Sequence, residues 1–132
     1  VANYVPWVRS GNLVHISGQL SNDASGGIKG TVGVDVSPED AARAARMCGV
    51  NLLAQIKDAL DGDLERVFRV VKLGGFVQAG PDFIAIPAVI NGCSDLMVEV
   101  FGDAGRHARS AVGVYRLPLG FAVEVDAIVE VK

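Results

Sequence analysis

The sequence predicts an α+β fold, a single two-layer domain spanning residues 1–132 in which two helices cover one face of a mixed sheet. Three observations lead there. The C-terminal segment alternates apolar and polar residues without a break, the period of a half-buried strand. Two segments, after Ser37 and after Pro81, space their apolar residues for one face of a helix. The other apolar runs are short, rich in β-branched residues and bounded by glycine or proline, as strands between turns are.

In chain order, Leu13–Gln19 is the first expected strand, with Val14 and Ile16 on one face and His15 and Ser17 on the other. Gly26-Gly27 breaks the chain, and Ile28–Val34 is expected to form a short, irregularly paired second strand. Ser37-Pro38-Glu39-Asp40 starts a helix: serine caps it, proline suits the first turn, and the acids suit its positive end. Ala42, Ala45, Gly49, Leu52, Leu53, Ile56 and Leu60 mark its apolar face, and Gly62 stops it. Val67–Val77 is a long β-branched run, expected as a central strand. Pro81-Asp82 opens the second helical region, whose buried face runs from Ile86 through Ile90, Cys93 and Met97 to Val100. After a loop from Gly102 to His107 come strands Ser110–Arg116 and Ala122–Val131, joined by a turn at Pro118–Gly120. In the last strand Val123, Val125, Ala127, Val129 and Val131 face one way, and Glu124, Asp126, Ile128 and Glu130 the other. The predicted order is β-β-α-β-α-β-β.

Composition narrows the classes. Half of the residues are hydrophobic and the mean hydropathy is +0.35, more apolar material than a small lone domain can bury. No run approaches the roughly 18 apolar residues of a membrane span, so the surplus predicts subunit interfaces and an oligomer. The net charge of −3, without a Lys/Arg cluster, argues against a nucleic-acid partner. Cys48 and Cys93 stand alone in helical patterns, with no metal-ligand spacing, so no bound metal is expected. Two lone thiols and an N-terminus without a charged-then-apolar pattern fit the cytoplasm.

The chemistry-bearing residues concentrate in the last third. Arg109 puts a permanent cation with a planar donor fork at the mouth of a strand. Glu124 puts a carboxylate between valines on the next, where an acid needs a partner or a task. Asp126, one step on, is expected to support structure or to hold Arg116. A fixed cation and an acid together point to a small anionic metabolite and to hydrolytic or proton-transfer chemistry. The bland alternative pairs Arg109 with Glu124 or Asp126 as a structural ion pair. Neither His15 nor His107 has a Ser or Cys partner at a telling spacing, which argues against a nucleophilic triad.

Ala108-Arg109-Ser110, then Arg116-Leu117-Pro118, then Val123-Glu124-Val125-Asp126-Ala127-Ile128 resembles the C-terminal signature of the YjgF/RidA family of reactive-intermediate deaminases. At the other end, Tyr4, Gly11-Asn12 and Ser17-Gly18-Gln19 match in order and spacing. The resemblance spans the chain and implies a chorismate-mutase-like fold and a homotrimer with sheets packed inward and a cleft between subunits. It further implies Arg109 as the substrate-carboxylate anchor, Glu124 as holder of the attacking water, and Tyr4, Ser17, Gly18, Gln19 and Ala111 as the pocket lining. Three departures mark a divergent subgroup. Ala111 stands for the family's cysteine, His107 for its proline, and Pro87 falls where an asparagine is common. The implied activity is that of a C–N hydrolase, converting small 2-imino acids or enamines to 2-keto acids and ammonia without metal or cofactor. The alternative is a module that binds small carboxylates without turnover. A ribonuclease, an activity attached to some relatives, fits the acidic charge poorly.

Overall fold

The protein is described by a computed structural model covering residues 3–132. Five strands form one mixed sheet and two helices lie on one of its faces. Strands β1 (Trp7–Ser10) and β2 (Leu13–Leu20) form a hairpin around Gly11-Asn12, with Ser10 opposite Leu13. Gly11 sits at φ +62°, the left-handed conformation that a two-residue hairpin turn needs. Helix α1 (Pro38–Ala59) leads to β3 (Val67–Gln78); helix α2 (Ile86–Phe101) leads to β4 (Ala108–Val114) and β5 (Val123–Val131). The sheet order is β1-β2-β5-β3-β4, with β3 and β4 parallel and the other pairs antiparallel.

The expected element order holds, but its first strand pair is a different one. Trp7–Ser10 pairs with β2, and Ile28–Val34 makes only isolated bridges at Lys29 and Val32. Gly30 and Gly33 both take positive φ there, which breaks a ladder. The segment is held by side chains instead. Buried Gln78 donates to the Gly30 carbonyl at 2.9 Å and accepts from the Leu117 backbone N–H at 2.8 Å. Helix α2 begins at Ile86, several residues later than expected. Pro81-Asp82 makes a turn closed by the Phe83 N–H on the Gly80 carbonyl, and Pro87 occupies the first helical turn. The start of α1 is as expected: the Asp40 backbone N–H donates to the Ser37 hydroxyl at 3.1 Å.

The core lies between sheet and helices. Leu52 and Ile56 of α1, Ile90 and Met97 of α2, and Val70, Leu73, Val125 and Val129 of the sheet are buried together. The two helices approach closely at Gly92, where a methyl group would overlap the Ala42 carbonyl of α1. The other sheet face carries no helix. It presents Val8, His15, Phe76 and Val112 together with Glu124, Asp126, Ile128 and Glu130. No helix is long and apolar enough to cross a membrane among the described residues.

Candidate functional site

The candidate residues fall into two clusters. The first gathers around the bulge in β2, where the pairing with β5 shifts register between Ile16 and Gln19. The Ser17 hydroxyl donates to the Val5 carbonyl at 2.7 Å, and the Ser17 N–H to that of Pro6 at 2.8 Å. These bonds tie the N-terminal segment, and Tyr4 with it, to the bulge. Tyr4 is exposed and lines a depression of ≈ 240 Å³ with Gly18, Gln19 and Gln55. The Gln19 amide turns back onto the Ser17 carbonyl at 3.0 Å. Gly18 has a steric reason to be glycine: the Glu124 carboxylate occupies the space a Cβ would need.

Glu124 lies on the helix-free face, opposite Leu20 of β2 and Phe76 of β3. Burial raises its pKa above the ordinary carboxylate range, and the Asp126 charge adds to the effect. Asp126 is raised too, by burial, with the Gly74 backbone N–H and the Lys72 charge working the other way. Asp126 does not hold Arg116. That guanidinium donates to the Tyr115 carbonyl at 2.9 Å and stacks over the Tyr115 ring, 4.1 Å from its centroid.

Arg109 belongs to the second cluster, on the helix-bearing face at the sheet edge. It pairs with Leu73, which faces the core opposite Ala127. Its side chain turns to α2: Nη1 donates to Asn91 Oδ1 at 2.8 Å and to Ser94 Oγ at 3.1 Å, and Nη2 to the Pro87 carbonyl at 3.4 Å. Of the five guanidinium N–H donors, these bonds use three and leave Nε–H and one on Nη2. Ala111, two residues along, faces the same side and packs against the core. Beneath, burial pushes the Cys93 thiol up to about 12, and the Arg109 charge pulls the other way.

The bland ion-pair alternative for Arg109 does not hold, and one sequence-based expectation changes here. Arg109 is paired with neither Glu124 nor Asp126, because the sheet stands between them. His107 does have a serine partner: its Nε2 lies 2.8 Å from Ser94 Oγ, and its Nδ1 2.6 Å from the Gly105 carbonyl. The Arg109 supports, Asn91 and Ser94, were missed by the sequence reading. Their spacing of three puts both on one helix face, but nothing in the sequence directs that face to Arg109. Among the described residues no group of three or more His, Cys, Asp or Glu side chains is placed to hold a metal.

Two helices on a five-stranded mixed sheet, with these residues in these places, define the class. Residues 1–130 match the family described as "YjgF/chorismate mutase-like, putative endoribonuclease", and the chain belongs to that family. Protein TCP17 of Trypanosoma cruzi is 50% identical over 132 residues, a match covering 98% of this chain and 82% of that one. A crystal structure of a protein of unknown function from Agrobacterium tumefaciens, Atu1372, superposes with a TM-score of 0.97 at 52% identity, covering 99% of this chain and 83% of that one. A "putative endoribonuclease" from Shewanella oneidensis follows with a TM-score of 0.95 at 30% identity, covering 99% and 87%.

Proposed function

We propose that the protein hydrolyses small 2-imino acids and their enamine tautomers to 2-keto acids and ammonia, in a cleft between two copies of the chain within a homotrimer. The observation that carries this reading is Arg109: a cation fixed on α2 by three bonds, with two donors left over. A planar carboxylate is the ligand that such a fork matches. Arg109 grips the substrate carboxylate and so fixes the neighbouring C=N carbon. Glu124 accepts a proton from water as the water oxygen bonds to that carbon. It returns the proton to nitrogen, giving a carbinolamine; it then takes the proton of the new hydroxyl and passes it to nitrogen as the C–N bond breaks, so ammonia leaves carrying both water hydrogens and the carbonyl forms. A carboxyl raised above its ordinary range is suited to both halves of this transfer. Tyr4, Ser17, Gly18 and Gln19 wall the Glu124 side of the cleft, and Ala111 the Arg109 side.

The two clusters face opposite sides of one sheet, so a single chain cannot bring both to one substrate. A second copy can, its β2–β5 bulge set against the β4–α2 edge of the first. The apolar side chains of the helix-free face, Phe76, Val112 and Ile128 among them, give such an assembly something to bury. Escherichia coli TdcF, a chain of this fold at 23% identity and a TM-score of 0.66, was crystallised with bound serine, a ligand of the size this reading requires. The net charge of −3 gives an RNA backbone little to hold. Two unpaired buried thiols, Cys48 and Cys93, accord with a cytoplasmic setting.

A coupled assay tests the reading. An amino-acid oxidase generates imino acids while semicarbazide traps them, and hydrolysis shows as slower semicarbazone formation. The wild-type protein is expected to slow trapping and Arg109→Ala is not. Keto-acid binding without any effect on trapping would make the protein a carboxylate-binding module instead.

A further inference from the structure

We propose that Ser94 and His107 are positioning residues for Arg109, and that the charge on His107 sets the strength of the anion site that Arg109 forms. The inference rests on the carboxylate reading of Arg109 above. A relay of three side chains carries it. The Gly105 carbonyl can only accept, so His107 Nδ1, 2.6 Å away, bears a hydrogen. In the neutral ring Nε2 is then the bare nitrogen, and it accepts from the Ser94 hydroxyl at 2.8 Å. With its hydrogen spent on His107, Ser94 Oγ turns a lone pair to Arg109 Nη1 at 3.1 Å. Asn91 takes the other Nη1 hydrogen at 2.8 Å. The histidine therefore orients the serine, and the serine helps to hold the guanidinium with its remaining donors turned outward.

Protonating His107 changes this arrangement in two ways. Nε2 becomes a donor to Ser94 Oγ, which frees the serine hydrogen to donate to a bound anion. A second positive charge also appears one serine away from Arg109. The charged groups around the ring are few. Asp95 and Val98 of α2 line the same cavity of ≈ 280 Å³ with Ser94, Arg106, His107 and Arg109. Arg106 is paired with exposed Asp103 at 3.4 Å. Lys72 of β3, opposite Ala108, points to the other sheet face. Asp103 and Asp95 balance two positive charges, so of Arg106, Arg109 and an imidazolium one is left uncompensated. A carboxylate should therefore bind more tightly to the form of the protein in which His107 is protonated than to the form in which it is neutral. For charges about 8–10 Å apart at an effective dielectric of about 20, screened over a Debye length of about 8 Å, the gain is about three- to tenfold.

The test is calorimetric affinity for pyruvate, whose carboxylate stays ionised throughout, at pH 8.0 and pH 5.5. The proteins compared are wild type, His107→Gln, Ser94→Ala, Ser94→Thr and Arg109→Ala, each checked for unchanged circular dichroism. Glu124 also titrates, but it does so in every variant, so the comparison is a difference. Wild type is expected to tighten about three- to tenfold more on acidification than His107→Gln, which keeps an acceptor for Ser94 but takes no charge. Ser94→Ala should weaken binding at both pH values, and Ser94→Thr should restore it. If Arg109→Ala abolishes binding while His107→Gln keeps the wild-type pH profile, or Ser94→Ala binds like wild type, this inference is wrong and the carboxylate reading stands. If Arg109→Ala binds as well as wild type, that reading fails and takes the inference with it.

Discussion

Arg109 and Glu124 make opposite demands on their surroundings, and each can be tested alone. Arg109→Lys keeps the charge but loses the fork that reaches Asn91, Ser94 and Pro87 together. It should cost imine hydrolysis at least about tenfold in kcat/KM, whereas a merely electrostatic anchor would leave the assay nearly unchanged. Glu124→Gln keeps the shape over Gly18 but cannot take a proton. Its kcat should fall by about 10²-fold, with pyruvate affinity held or slightly tightened. Weaker binding and lower stability together would make Glu124 structural. Arg109 and Glu124 were legible as candidates because strand periodicity places them and the flanking residues carry a signature. The hold on Arg109 was not legible, since Asn91 and Ser94 lie on a different element and only the packing of α2 against β4 brings them near. The same holds for Gly18: its motif is visible in the sequence, but the carboxylate that excludes a side chain there lies more than a hundred residues away.

At the scale of elements, the two helices depend on local chemistry and on one close approach. Ser37→Ala removes the hydroxyl that satisfies the Asp40 N–H and should cost about 1 kcal/mol in urea unfolding. Gly92→Ala should cost more, about 1–3 kcal/mol, because the new methyl meets the Ala42 backbone rather than a side chain that can swing away. A loss below about 0.5 kcal/mol would mean that the helices separate freely at that point. The cap of α1 could be read directly from Ser37-Pro38-Glu39-Asp40, since capping acts over four residues. The start of α2 could not, because Pro81-Asp82 serves a turn as well as it would serve a helix. Trp7–Ser10 is too short to show a period, and it becomes a strand only because Gly11-Asn12 folds it back onto β2. Ile28–Val34 has the apolar content of a strand, but its positive-φ glycines leave Gln78 to hold it.

For the whole molecule, the proposed function makes the helix-free face the link between stability, assembly and chemistry. Glu124 and Asp126 both have raised pKa values in the folded protein. A raised carboxyl means that the folded state binds the proton more tightly, so stability falls as pH rises from the ordinary carboxyl range through the raised values. Glu124→Gln with Asp126→Asn should therefore raise the melting temperature at pH 7 and flatten its fall as pH rises above the ordinary carboxyl range of about 4. Both side chains are half exposed, so the gain should stay below about 1 kcal/mol. Sedimentation should give three times the 13.8 kDa of the chain, and a stable monomer would contradict the assembly. The apolar surplus that predicts an oligomer is visible in composition; the division of the site between two sheet faces is a matter of register, which composition does not record. That division is the central claim, and subunit mixing tests it most directly. Arg109→Ala and Glu124→Gln, each inactive alone, are unfolded and refolded together in equal amounts and assayed for imine hydrolysis. If each cleft takes Arg109 from one copy and Glu124 from the next, about a quarter of the clefts in a random mixture regain both, and about a quarter of wild-type activity returns. If one chain supplies both residues to its own site, the mixture stays as inactive as its parts.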